Sequence, residues 1–192
     1  MKVANISPLF KVGDLHDITN YRPISKLTSF SKILEWAMHN RLTNVLDAKN
    51  TLYSKHFGFR KNHSTTHAII EVVDKISEAI DNRKLTIGVF LDLSKAFDTI
   101  RHDVIWAKLE YYGVRDLALD WFRSYLADRF QQVSYNNAMP SFAPILYGVP
   151  QGSILGPLLY GIMISPIAPA IFFSMSSLMI LLSLSRVIGA RT

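Results

Sequence analysis

Leu85-Thr86-Ile87-Gly88-Val89-Phe90-Leu91-Asp92-Leu93 is the stretch on which the fold turns. A compact apolar run of this length with Ile87 and Val89 predicts a buried strand. It closes on a carboxylate, and desolvating an unpaired carboxylate costs several kcal/mol. Asp92 is therefore either a strand-terminating residue that meets water or caps a neighbour, or a functional group on a rigid strand end. Taken alone, the stretch leaves both readings open.

Working outward, helices flank this strand. Upstream, Thr28 and Ser29 are good N-cap residues. Phe30, Ile33, Leu34, Met38, Leu42 and Val45 follow at helical spacing, which predicts a helix to about Leu46 with those residues as its apolar face. Ile69, Val72, Val73, Ile76 and Ile80 predict a second helix that starts near His63 to Thr66 and ends by Asn82. Pro8, Gly13, Asp14, Asn20 and Pro23 make Ser7 to Lys26 read as loop and short strand. Downstream, Asp103 to Tyr112 and Asp116 to Leu126 predict helices. Gln131 to Tyr135 and Ala143 to Tyr147 predict strands joined by a turn at Asn136 and Asn137. Gly148, Pro150, Gly152, Gly156 and Pro157 then crowd ahead of an apolar stretch. Helices mixed with short strands give an α+β class and leave an α/β-like arrangement open.

The chain has 192 residues, of which 49% are hydrophobic, and a formal net charge of +6. That length suits one domain or a domain with an extension. The basic balance suits an anionic partner, nucleic acid first. With no cysteine, disulfides, thiolate zinc sites and a cysteine nucleophile are excluded. Charge at Lys2, Lys11 and Asp14 with no long apolar run gives no sign of a secretory signal, so an intracellular setting is expected, cytoplasm or nucleus. All acidic residues, and all basic ones except Arg186 and Arg191, precede Phe130.

Four blocks stand in order around the strand: Asn20-Tyr21-Arg22-Pro23-Ile24-Ser25, Phe57-Gly58-Phe59-Arg60, Asp92-Leu93-Ser94-Lys95-Ala96-Phe97-Asp98, and Gly148-Val149-Pro150-Gln151-Gly152-Ser153-Ile154-Leu155-Gly156-Pro157. At these separations the set resembles the reverse transcriptase domain of non-LTR (LINE-type, jockey-like) retrotransposons, over Pro8 to Tyr160. The resemblance implies a right-hand polymerase with a fingers-like part at residues 1–84, a partial palm at 85–164 and no thumb, followed by an apolar tail at 165–192. It implies addition of a deoxynucleoside triphosphate (dNTP) to a DNA primer 3′ end, copied from an RNA template, with two Mg²⁺ ions stabilising the attacking and leaving oxygens. In that frame Asp92 is the metal ligand, and the Leu93 carbonyl adds an oxygen. Phe97 is an aromatic steric gate against a ribose 2′-OH, with a plain core phenylalanine as the alternative. Arg60 grips the triphosphate with its guanidinium fork, with a solvated loop arginine as the alternative. Gln151 and Gly152 pack beside nucleotide and template, where a glycine admits close backbone approach. Arg22, Lys26 and Lys61 are expected to contact template phosphates, with a solvated surface as the equal alternative. Asp98, His102 and Asp103 crowd together, but the resemblance gives them no metal role; Asp98 or Asp103 is expected to cap the helix ahead.

The likeness also calls for an aromatic-Ala-Asp-Asp turn 20–30 residues after Gln151-Gly152, and no Asp or Glu follows Asp128. The chain is expected to be catalytically inactive as it stands. Back-translating Met175 to Leu181 as ATG TCT TCG CTG ATG ATA CTA and reading from the third base gives Val-Phe-Ala-Asp-Asp-Thr. Met179 and Ile180 force one of those aspartates whatever synonyms are used. We therefore expect a frameshift between Tyr160 and Met175; a locus without this reading would refute it. Two other classes compete: a non-catalytic nucleic-acid-binding remnant, and a small protein anchored in a membrane by Ala170 to Ser185. The second is disfavoured because that uncharged run is shorter than the roughly 20 residues of a spanning helix and is rich in serine.

Overall fold

A computed structural model of the chain describes residues 2–52, 56–92, 95–133, 142–165, 171–173 and 177–184. The elements run β1 (Val3–Phe10), β2 (Tyr21–Lys26), α1 (Ser29–Ala48), α2 (Thr65–Asp81), β3 (Leu85–Asp92), α3 (His102–Tyr111), α4 (Asp116–Leu126), β4 (Arg129–Val133), β5 (Ala143–Ile145), α5 (Leu155–Ile164), β6 (Ile171–Phe173) and β7 (Ser177–Leu184), with a 3₁₀ turn at Ile18–Asn20. The α+β class expected from the sequence is the class observed. The chain divides into two compact units, Met1–Thr51 with Lys95–Ile164, and Leu52–Ser94 with Ser165–Thr192.

The first unit is a four-stranded sheet, in the order β2-β1-β4-β5, backed by helices. β1 runs antiparallel to β2 and parallel to β4. Pro8 lies opposite Pro23, so two residues without an N–H face each other. Of the loop and short strand expected over Ser7 to Lys26, residues 11–20 form the loop and β2 the short strand, while Ser7 to Phe10 belong to β1. Gly13, Asp14 and Asn20 lie in the link ahead of β2, where Asp17 Oδ1 accepts the Thr19 N–H at 2.8 Å, while Pro8 lies in β1 and Pro23 in β2. Ala4, Ile6, Ser25 and Arg129 are buried on the strands. The core is completed by Leu42, Leu46, Ile105, Leu109, Phe122, Leu126, Leu155, Leu159 and Ile162, each worth about 1.5–3 kcal/mol when fully removed from water.

The face of α1 differs from expectation. In α1, which Thr28 caps through the Ser31 N–H, the buried residues are Ser31, Glu35, Leu42 and Leu46, while Phe30, Ile33 and Leu34 are exposed. A carboxylate takes the inward position because a partner distant in sequence satisfies it, as described below. Long-range lysine contacts also tie helix ends: Lys49 Nζ donates to the Tyr112 carbonyl at 2.9 Å, and Lys108 Nζ donates to the Ile162 and Met163 carbonyls at the end of α5. Arg101, not Asp98 or Asp103, is the N-cap of α3, and it makes no side-chain cap bond; Asp103 instead pairs with Arg101, which lowers the Asp103 pKa.

In the second unit, α2 is capped by Ser64 and packs Ala68 and Val72 against Phe57. Its buried residues are Ala68 and Ala79, with Ile69, Val73 and Ile80 exposed. β3 forms as expected and pairs antiparallel with β7 along all of its length, Leu85 opposite Leu184 through Asp92 opposite Ser177; β6 completes a sheet in the order β3-β7-β6. The described part of the tail is therefore strand. No helix among the described residues is long and apolar enough to cross a membrane. The expected turn at Asn136 and Asn137 lies outside the described residues.

Candidate functional site

The loop Gly148–Ile154 is fastened from three sides, and each fastening follows from a chemical need of the residues involved. On one side stands the turn after β3. Asp98 N–H donates to the Lys95 carbonyl at 2.8 Å, closing a turn that carries Phe97. The loop docks on it through Gly148 N–H to the Ile100 carbonyl (2.7 Å) and Val149 N–H to the Phe97 carbonyl (2.8 Å). Gly148 has φ +82°, and a Cβ there would lie 2.7 Å from both Asp98 Cα and the Phe97 carbonyl oxygen, so only glycine admits this approach. Buried His102 adds a 2.7 Å bond to the Gly148 carbonyl. Because a carbonyl only accepts, His102 Nε2 carries the proton.

On the second side, Ser25 N–H in β2 donates to the Gln151 carbonyl at 2.8 Å. A Cβ on Gly152 would come within 3.3 Å of the Ser25 carbonyl oxygen. β2 also carries exposed Arg22 and Lys26, so these two cations share a strand with the residue that holds Gln151.

The third side is α1. Glu35 is only 1% exposed, and its Oε2 accepts the Ile154 N–H at 2.7 Å. A backbone donor bonded to an anion is a strong contact, and here it ties the loop to a helix 119 residues away in sequence. Burial, followed by the Glu35 charge, pushes the Tyr125 phenol above its usual pKa. The Arg129 guanidinium lies 5.1 Å from the Tyr125 ring centroid, and its Nη1 donates to the Tyr125 carbonyl at 3.0 Å.

Two side chains meet at the mouth of the loop. Gln151 Nε2 donates to Asp98 Oδ1 at 2.8 Å. The half-buried Phe97 ring packs on Tyr160, with centroids 4.9 Å apart and planes at 37°. Phe97, Gln151 and Gly152, expected as a group, are thus brought together within the first unit. Sequence reasoning missed Asp98, His102 and Glu35 as their supports. For Asp98 and His102 the available signal was their crowding after Phe97; for Glu35 there was no local signal, since its inward stripe also carries Ser31.

Arg60, Lys61 and Asp92 belong to the second unit. Arg60 is half-buried and Lys61 exposed. Near them His56 is 4% exposed, and burial first, then the charges of Arg60 and His63, lower its pKa to about 4. Asp92 is the last residue of β3, opposite Ser177. Leu93 lies outside the described residues. A two-ion site needs several hard oxygen ligands. Strand β7 places Ser177, Leu178 and Met179 across from Asp92, Leu91 and Phe90 and brings no carboxylate. Among the described residues no group of three or more His, Asp or Glu is placed to hold a metal ion. Among the described residues the donor set does not fit a pair of metal ions.

Solved structures with the same arrangement of elements define the class. An apo telomerase from Candida tropicalis superposes with a TM-score of 0.62 at 13% identity, covering 94% of this chain and 43% of that one. Telomerase from Candida albicans in complex with a telomeric RNA fragment gives 0.56 at 13% identity, covering 94% and 38%. The fold is that of a right-hand polymerase. Residues 11–172 match the family model described as reverse transcriptase (RNA-dependent DNA polymerase), and the chain belongs to that family. It is 37% identical over 165 residues to the RNA-directed DNA polymerase from mobile element jockey of Drosophila melanogaster, and 36% over 168 residues to the probable RNA-directed DNA polymerase from transposon BS of the same species. These alignments cover 85% and 84% of this chain but 18% of each relative, so the chain spans about a fifth of their length. The LINE-type resemblance read from the four blocks is borne out.

Proposed function

We propose that this chain is the nucleotide- and template-facing piece of an RNA-directed DNA polymerase of a mobile element, and that it binds without polymerising. The observation that carries the proposal is the pinned loop Gly148–Ile154, which sets Gln151 and Gly152 beside Phe97 and next to the Arg22 and Lys26 strand. In this reading Gln151 and Gly152 face the base pair that forms between the dNTP and the RNA template, and Phe97 fills the space of a 2′-OH. Arg60 holds triphosphate, while Arg22, Lys26 and Lys61 neutralise template phosphates. The DNA primer enters as the strand to be extended, and the binding takes place where template RNA is found, in cytoplasm or nucleus.

The family uses a divalent metal, which we take to be Mg²⁺ in the parent enzyme, with Asp92 and the Leu93 carbonyl as ligands. Because one carboxylate does not hold two ions, phosphoryl transfer is not expected of this chain. The test pairs two assays on poly(rA)·oligo(dT). Salt-sensitive binding, falling steeply between 50 and 200 mM salt, is expected together with background-level incorporation of dTTP. Absence of salt-sensitive binding overturns the nucleic-acid reading. Incorporation that disappears in Asp92→Ala would show that the chain polymerises after all.

A further inference from the structure

We infer that Asp98 is a positioning residue that fixes the orientation of the Gln151 amide. A glutamine side chain has three rotatable bonds, and its amide can turn over to exchange oxygen for nitrogen. Freezing it costs up to about 2 kcal/mol of rotamer freedom. Here a carboxylate stands 2.8 Å from Nε2. A carboxylate accepts and does not donate, so Nε2 must face Asp98 and Oε1 must face away. The bond therefore selects one of the two amide orientations and presents the oxygen, with the second N–H, to whatever lies outside.

Both ends of this bond sit on backbone that is already held. Asp98 and Thr99 both donate to the Lys95 carbonyl. Gln151 is anchored by Ser25, its loop by the Ile100 and Phe97 carbonyls, and Ile154 by Glu35. Two fixed backbones leave side-chain torsion as the main freedom, and the Asp98–Gln151 bond removes it. The other roles open to Asp98 are taken or absent: Arg101 occupies the N-cap of α3, and no metal-binding cluster includes Asp98 among the described residues. That the fixed amide faces a nucleotide rests on the function proposed above; that Asp98 fixes it does not.

The experiment follows the side-chain amide of Gln151 by ¹⁵N–¹H NMR on the full chain, assigned by its disappearance in Gln151→Ala. In the unsubstituted protein the two Nε2 protons should be distinct, and the one facing Asp98 should exchange with water about tenfold more slowly than in Asp98→Ala, the loss expected for a charge-assisted bond. Asp98→Asn keeps one acceptor without the charge and should give protection between the two. Gln151 resonances and exchange in Asp98→Ala that match the unsubstituted protein overturn the inference. Should the alanine variant fail to fold, full protection in Asp98→Asn overturns it, and partial protection supports it. Adding poly(rA)·oligo(dT) with dTTP to the unsubstituted chain reads the other question. Unmoved Gln151 resonances refute its nucleotide-facing role, while the exchange rates without nucleotide still decide whether Asp98 holds the amide.

Discussion

Substituting Gly148 by alanine puts the docking of the loop under direct strain. The residue has φ +82°, and an added Cβ would lie 2.7 Å from Asp98 Cα and the Phe97 carbonyl oxygen and 2.8 Å from the Asp98 carbonyl oxygen. These are backbone atoms of a closed turn, so no side-chain tip can swing aside. An L-residue in left-handed geometry costs roughly 1–2 kcal/mol. Relief of the overlap requires the loop to lift, which sacrifices the bonds from Gly148 to Ile100 and from Val149 to Phe97 at about 1 kcal/mol each, and disturbs the buried His102 contact. The expected loss is about 3–5 kcal/mol, a large part of an ordinary domain's stability. Gly152 is the internal control. It has φ +94°, but its added Cβ would meet the Ser25 oxygen at 3.3 Å and Ile24 Cγ2 at 3.5 Å, leaving the left-handed strain of roughly 1–2 kcal/mol as the main term. Urea unfolding followed by tryptophan fluorescence, with midpoint and slope both reported, measures the two. A Gly148→Ala loss under about 1 kcal/mol, or a Gly152→Ala loss larger than that of Gly148→Ala, would refute the reasoning.

Two further outcomes follow from buried charge. With its folded pKa lowered to about 4, His56 is protonated more readily in the unfolded chain, so its stabilising effect is complete above the unfolded pKa of about 6.5 and is lost as pH falls through that value toward 4. The full loss is about 3 kcal/mol; a His56→Asn variant should show a correspondingly flatter dependence of urea stability between pH 7 and pH 4, and an unchanged dependence would remove His56 as its source. Glu35→Ala should cost about 2–4 kcal/mol because it strands the Ile154 N–H, whereas Glu35→Gln retains an acceptor and should cost about 1 kcal/mol; equal losses in the two variants would show that the bond to Ile154 is not what Glu35 supplies.

The sequence made element positions readable where the signal is local, and lost them where it is not. Thr28 and Ser64 mark helix starts because capping is settled within three residues. Strand β3 was readable from its own apolar run. The inward face of α1 was not. The apolar period of α1 points to Phe30, Ile33 and Leu34, yet the core takes Ser31 and Glu35, because the Ile154 N–H stands there to receive the carboxylate. No periodicity reports a partner that far along the chain. Asp98 escapes the local rule for the same reason: that rule offers an acid before a helix as a cap, and the bond to Gln151 53 residues on is the one that forms. Strand β1 is a third case, since its pairing with β2 and β4 organises a segment that turn formers mark as irregular.

The tail shows why fold and chemistry separate in this chain. β7 matches β3 residue for residue from Leu85–Leu184 to Asp92–Ser177, and β3 remains the edge strand of that sheet. What a strand asks of its neighbour is a backbone ladder and residues suited to a pleated surface, and Ser-Leu-Met-Ile-Leu-Leu-Ser-Leu supplies both without an acid. The shifted reading would set its two aspartates across Leu178 to Ile180, positions that β7 pairs with Leu91, Phe90 and Val89, immediately before Asp92. Ladder formation is therefore indifferent to the frame, whereas holding metal ions depends on it entirely. A chain without those carboxylates keeps the means to form the sheet beside Asp92 and the pinned loop of the first unit.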